Sequence, residues 1–150
     1  MDKIGHIALA EGRTLAVDLG TRRIGLAVSD PLGITAQGLP SLERRRDAGA
    51  QVLEVCREWG VGSVVVGLPL NMNGTKGPAA VAAEAFAAAL AARSGLPVVV
   101  WDERLSSASA EKVLIEAGVG RDKRRKRGLV DRGAATIFLQ TYLARRRSRT

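Results

Sequence analysis

The stretch Ser63-Val64-Val65-Val66-Gly67 carries no charge and is apolar almost throughout. Successive strand residues point to opposite faces of a sheet, so such a strand has to be covered on both sides. It therefore belongs at the centre of a sheet, parallel to a neighbour, with helices above and below. The flanking sequence supplies the remaining pieces. Thr14 to Gly20 and Ile24 to Ser29 read as two strands joined by a short connection, an antiparallel hairpin. Asp30-Pro31-Leu32-Gly33 is a turn signal, and Ile34 to Leu39 reads as a third, edge-like strand. Asp47 to Trp59 sets Val52, Leu53, Val55, Cys56 and Trp59 on one helical face and stops at Gly60. Pro78 opens an Ala-rich helix that stops at Gly95. Val98 to Trp101 is the last strand, and Ser106 or Ser107 caps a helix that runs through Glu116. Leu129 to Ala144 forms a terminal helix. A strand hairpin followed by alternating helix and strand gives a mixed α/β sheet with helices on both faces.

The chain has 150 residues, enough for one core without a disulfide or structural metal. Residues 1–13 read as a loose lead-in, 14–144 as one domain and 145–150 as a basic tail, with no internal repeat or linker. One cysteine, Cys56, and one histidine, His6, exclude a zinc finger, a Cys/His dyad and a disulfide framework. Cys56 lies on the apolar stripe of its helix and reads as a buried core thiol. No uncharged apolar stretch approaches the ~18 residues of a membrane span, and the start lacks the pattern of a signal peptide. These features point to a cytoplasmic protein whose catalysis, if any, runs on carboxylates, hydroxyls, Lys/Arg or a metal held by oxygen.

Charge is concentrated. The net charge is +8, but Arg121 to Arg127 alone holds +5 and Arg145 to Arg149 holds +4, which leaves −1 for everything else. A near-neutral body with two basic blocks suits a polyanion, because clustered Lys and Arg neutralise phosphates and release counterions. Aromatic residues make up 3% of the chain, too few for a base-stacking platform. Recognition of backbone charge and shape fits better.

Most of the fifteen acids sit where acids usually sit, with Glu54, Glu58, Glu84, Glu111 and Glu116 on the solvent sides of helices, but three do not. Asp18 interrupts an apolar strand, Glu103 stands just beyond the end of another, and Asp131 shares a helical stripe with Ala134, Ala135, Phe138 and Tyr142. Burying a lone carboxylate costs several kcal/mol unless it is paired or binds a metal. If the strands of Asp18 and Glu103 lie close, all three acids can converge at one edge of the sheet, where hard oxygen ligands suit Mg²⁺ or Mn²⁺. The competing reading pairs Asp18 with Arg22, Arg23 or Arg104 and leaves Glu103 and Asp131 partly solvated. Asp18-Leu19-Gly20-Thr21 adds a tight turn whose backbone N–H groups are expected to aim at a phosphate or metal-held oxygen.

Four motifs in order, Asp18 to Asp30, Val66 to Gly74, Asp102 to Ser106 and Leu129 to Ala135, closely resemble the YqgF (RuvX) family. Its members are designated pre-16S rRNA nucleases and Holliday-junction-resolvase-like proteins. The resemblance runs from about Thr14 to Tyr142. It implies a ribonuclease H-like fold, a five-stranded mixed sheet with helices on both faces, and an acidic triad of Asp18, Glu103 and Asp131. It also implies cytoplasmic processing of the 5′ end of 16S rRNA precursor with Mg²⁺ or Mn²⁺. Resolvases of this fold carry a glutamate at the end of the fourth strand, where this chain reads Val66-Gly67-Leu68, so the second acid is expected from Glu103 instead.

Around the triad, Thr21, Arg22, Arg23 and Arg104 are candidates to steady a phosphate. Asn71 and Asn73 lie on a loop expected to border the site, and Arg121, Lys123, Arg124, Arg125, Lys126 and Arg127 are candidates to hold the nucleic-acid backbone. Structured pre-rRNA, branched DNA and ribosomal precursor particles are the expected partners, for a monomer or homodimer with no membrane association. The alternatives are a junction-resolving DNA endonuclease, a non-catalytic RNA-binding assembly factor, and an actin-like ATPase module. The last of these needs two such domains, and this chain supplies one.

Overall fold

A computed structural model describes residues 12–105 and 133–148. The valine run lies where its two apolar faces require, in β4 (Val61–Leu68), with Val64, Val65 and Val66 all buried. β1 (Arg13–Leu19), β2 (Arg23–Ser29) and β3 (Ala36–Glu43) precede it, and β5 (Val98–Asp102) follows. The sheet order is β3-β2-β1-β4-β5, with β1, β2 and β3 antiparallel in succession and β4 parallel to both β1 and β5. This is the ribonuclease H-like arrangement that the sequence resemblance implies.

The two faces of the sheet differ in side-chain size. Leu15, Val17, Ile24, Leu26, Val28, Val64, Val66 and Leu68 cover one face and pack against α1 (Ala48–Trp59) and α2 (Pro78–Ser94). On the other face the sheet offers Ala16, Ala27 and Val65 to α3 (Ala134–Ser148), which fills the space with Phe138, Leu139 and Leu143. Small residues below and large ones above let one helix close that face at interior packing density. The described part of the expected helical stripe is therefore turned inward, with Ala134, Ala135 and Phe138 buried.

Local signals set the helix ends. The Asp47 carboxylate accepts the Ala50 N–H at 3.0 Å, and Gly60 ends α1 in the left-handed region at φ 63°. Asp47 also receives Arg93 Nη1 at 2.9 Å, which ties the end of α2 to the start of α1 and, with Ala50, holds the carboxyl below its ordinary range.

Two elements depart from expectation. β3 begins at Ala36 rather than Ile34, because the Asp30 carboxylate takes the N–H groups of Ile34 and Thr35 at 2.7 and 2.8 Å. It continues through Pro40, which an edge strand tolerates. α3 runs past Ala144 to Ser148, since arginine is a good helix former and cations suit a helix C-terminus. Arg145 lies over the Trp101 ring, Arg146 lies over Tyr142, and Arg147 Nη1 donates to Ile34 O at 3.1 Å. The expected helix from Ser106 or Ser107 to Glu116 lies outside the described residues, as do positions 129–132.

Candidate active site

One row of residues crosses the sheet at the C-terminal ends of the parallel strands. Asp18 pairs with Gly25 across β1 and β2. Val17 pairs with Val66 across β1 and β4, so one step further brings Asp18 beside Gly67. Gly67 in turn pairs with Trp101 on β5. Strand alternation puts this row on the α3 face, because Asp18 lies two residues beyond Ala16 and Gly67 two beyond Val65. Asp18 interrupts the apolar pattern of β1 where the strand leaves the core, and it is half-buried.

Glu103 reaches the same row from the side. It opens a single 3₁₀ turn, Glu103–Leu105, directly after β5, and it is 2% exposed. A Cβ on Gly67 would stand 2.5 Å from Glu103 Oε2, 2.8 Å from Phe138 Cε2 and 3.1 Å from Phe138 Cζ. The Glu103 carboxylate therefore lies over the bare backbone of β4, walled by the Phe138 ring, on the strand next to Asp18. On the other side of Asp18, a Cβ on Gly25 would come within 3.3 Å of the Asp18 Cβ. Glycines thus flank Asp18 on both neighbouring strands.

Two carboxylates set in a cradle that neighbouring Cβ atoms would fill, with no His or Cys beside them among the described residues, fit a hard divalent cation of the Mg²⁺ or Mn²⁺ class. Among the described residues no group of three or more His, Cys, Asp or Glu forms a metal cluster. Asp131, the third acid expected, lies outside them, three positions ahead of the first residue of α3. So do Arg121, Lys123, Arg124, Arg125, Lys126 and Arg127.

The hairpin turn beside Asp18 is more self-contained than its sequence suggests. The Gly20 N–H, expected to aim at a phosphate, donates to Arg23 O at 2.9 Å and closes the turn. A Cβ on Gly20 would meet that carbonyl at 2.8 Å, which is why glycine stands there. Arg44 braces the turn from β3's end, with Nη1 on Gly20 O at 2.9 Å and its own N–H on Arg22 O at 2.8 Å. Thr21 and Arg22 are exposed, and Arg23 Nη1 donates to Ser41 Oγ at 3.2 Å.

The loop after β4 is held in the same manner. Asn73 Oδ1 accepts both the N–H and the hydroxyl of Thr75, at 3.0 and 2.6 Å, and Asn71 Nδ2 donates to Thr75 Oγ1 at 2.9 Å. Both asparagine side chains therefore shape the loop. Met72, between them, is 94% exposed at its tip. Arg104 clamps the loop to β5: Nη2 and Nε bond the Asp102 carboxylate at 2.8 to 3.2 Å, and Nη1 donates to Met72 O at 3.2 Å. The guanidinium holds the Asp102 carboxyl below its ordinary range. Arg104 is thus engaged with the protein.

Gly67, Gly25, Arg44 and Asp102 were not among the expected site residues. Gly25, Gly67 and Asp102 lie within the family-like motifs, and a glycine inside a strand often marks close approach of another group; no such signal pointed to Arg44.

The family model described as "RuvX: Holliday junction resolvase" matches residues 12–145. Relatives named "Putative pre-16S rRNA nuclease" include one from Geobacillus kaustophilus (strain HTA426), 52% identical over 139 residues, which are 90% of this chain and 99% of that protein. Another, from Moorella thermoacetica (strain ATCC 39073 / JCM 9320), is 51% identical over 135 residues, covering 89% of this chain and 95% of that protein. Among solved structures, T. thermophilus RuvC in complex with Holliday junction substrate is similar at 18% identity, with a TM-score of 0.45, over 63% of this chain and 66% of that one. With the family pattern running from residue 12 to residue 145, and relatives about half identical along nearly their whole length, the chain belongs to the RuvX (YqgF) family.

Proposed function

We propose that this protein is a metal-dependent nuclease that hydrolyses phosphodiester bonds in the 5′-end processing of pre-16S rRNA. The observation that carries the reading is the approach of the Glu103 carboxylate, over Gly67, to the strand position beside Asp18. The names of the relatives support the substrate. Work on an rRNA precursor implies a cytoplasmic location, and no helix among the described residues is long and apolar enough to cross a membrane.

Asp18, Glu103 and Asp131 are the residues that would hold Mg²⁺ or Mn²⁺. Such an ion, when bound, supplies Lewis acidity toward the phosphoryl group and neutralises charge developing on it. Glu103, buried against Phe138, keeps its carboxylate in one orientation and away from bulk water. Asp18, half-buried at the strand end, would hold the ion beside Glu103. Arg22, exposed on the turn that follows Asp18, would steady a phosphate, and the bases from Arg121 to Arg127 would bind the nucleic-acid backbone.

The test compares wild type with Asp18→Asn on a structured pre-rRNA fragment and on a four-way DNA junction, each with Mg²⁺, Mn²⁺ or EDTA. Metal-dependent cleavage of the RNA that is lost in the variant is the expected result. Preferred cleavage of the junction would move the substrate to branched DNA. RNA binding without metal-dependent cleavage would make the protein an assembly factor.

A further inference from the structure

We infer that Gly67 is a positioning residue for Glu103: its missing side chain is the space through which the carboxylate reaches from β5 to the neighbourhood of Asp18. The inference rests on the metal-dependent reading above, but its own support is steric. A methyl group at position 67 would stand 2.5 Å from Glu103 Oε2 and 2.8 Å from Phe138 Cε2, closer than side-chain atoms approach one another. Gly67 is not among the glycines with positive φ, so its backbone accepts alanine and the conflict lies in volume alone.

The two neighbours differ in their freedom to yield. Phe138 is fully buried among Ala16, Ala27, Val65 and Leu139, so its ring has little room to retreat. Glu103 has a flexible side chain on a short turn, whose next residue is held by the Arg104 N–H on Asp102 Oδ1 at 2.9 Å. The carboxylate, at the far end of its side chain, is the group that gives way, and its approach over Gly67 toward the strand of Asp18 changes with it. A bare position on β4 and a glutamate after β5 therefore form one device, in which the glycine makes room for an acid brought from the next strand.

The experiment measures Gly67→Ala in two ways. The first is calorimetric titration of the nucleic-acid-free protein with Mn²⁺, and the second is cleavage kinetics on the pre-rRNA fragment. Loss of a group that orients a metal ligand typically weakens affinity or activity by about 10–100-fold. A loss of that size in Mn²⁺ affinity and in kcat is expected, with KM for RNA unchanged. In the Glu103→Gln background the same substitution should add nothing, since the group it displaces is already altered. If Gly67→Ala does not fold, the comparison is made in Phe138→Leu, where the opposing ring atoms are gone and the contact with Glu103 remains. Wild-type Mn²⁺ affinity and kcat in a folded Gly67→Ala protein, or an equal further loss on top of Glu103→Gln, overturns the inference. Full cleavage by Glu103→Gln itself overturns the nuclease role of that acid. An inactive Glu103→Gln beside a fully active Gly67→Ala overturns only the role of Gly67.

Discussion

Asp18 and Glu103 differ in surroundings as much as in position, one half-buried at a strand end and the other 2% exposed under an aromatic ring. Asp18→Asn is expected to abolish cleavage while preserving the fold. Without metal the variant should melt at or above the wild-type temperature, because under the proposed site it removes one of the neighbouring negative charges and relieves their repulsion. Added Mg²⁺ should then raise the melting temperature of wild type and not of the variant, since a ligand stabilises only what binds it. A metal-induced shift of equal size in both proteins would remove Asp18 from the site. Glu103→Gln should behave in the same way, and Asp131→Asn more mildly. Cys56 lies on the opposite face of the sheet, in the core under α1. Burial pushes its thiol from 9.0 to about 11, with Arg57 opposing weakly. The native thiol should therefore resist a disulfide reagent at pH 8 and react fully once the protein is denatured. Because the folded value is the higher one, the stabilisation is complete below pH 9.0 and is lost as pH rises toward about 11. Cys56→Ala should flatten that decline in melts taken across the range.

The loop between β4 and α2 is built by its own side chains and then fastened to β5 by Arg104. Arg104→Ala removes both the two-pronged bond to Asp102 and the tie to Met72 O. The pair is partly exposed and screened by solvent, so the loss in global stability should be small. The local effect should be larger: amide exchange at Gly74 and Thr75, which belong to the bonded loop, is expected to accelerate relative to β4. Unchanged exchange there would mean the loop holds its shape without the clamp. Asp102 is held below its ordinary range, so the pair stabilises above pH 3.8 and loses that contribution as pH falls through the lowered value. Arg104→Ala should accordingly lessen the acid sensitivity of the fold.

At the scale of the molecule, the proposed function gives contact with nucleic acid to the two basic blocks. Part of the C-terminal block is helical, with Arg145 and Arg146 laid over aromatic rings and Arg147 bonded to the β2–β3 loop. The bases from Lys123 to Arg127 form the denser charge. Replacing four of these five by alanine should weaken binding across sequences and make the salt dependence of log K shallower, by up to about 0.9 per lost duplex phosphate contact or 0.7 for a single strand. The rate at saturating substrate should fall much less, because the proposed function leaves the chemistry to the carboxylates. An unchanged slope with a collapsed rate would make this segment catalytic.

The β1–β2 hairpin, the helix ends and the interior place of β4 were legible in the sequence because each rests on local signals: an uninterrupted valine run, Asp47 and Gly60 around α1, Pro78 and Gly95 around α2; the strand order was not, since it pairs segments far apart along the chain. The three odd carboxylates were legible for the same reason, as breaks in an otherwise regular pattern. The late start of β3 and the extension of α3 were not, since they depend on the Asp30 side chain capturing backbone N–H groups and on Arg145, Arg146 and Arg147 finding partners on distant elements. The engagement of Gly20, Asn71, Asn73 and Arg104 with their own loops was hidden too, because a side chain's partner is a matter of geometry rather than residue type. What only the tertiary structure decided was the meeting of Glu103 with the strand beside Asp18. It depends on the registers of β1, β4 and β5 taken together and on the volume left empty at Gly67, which the carboxylate and the Phe138 ring occupy. A glycine in a sequence records only that no side chain is there; what fills its place is settled by chain segments far away along the sequence.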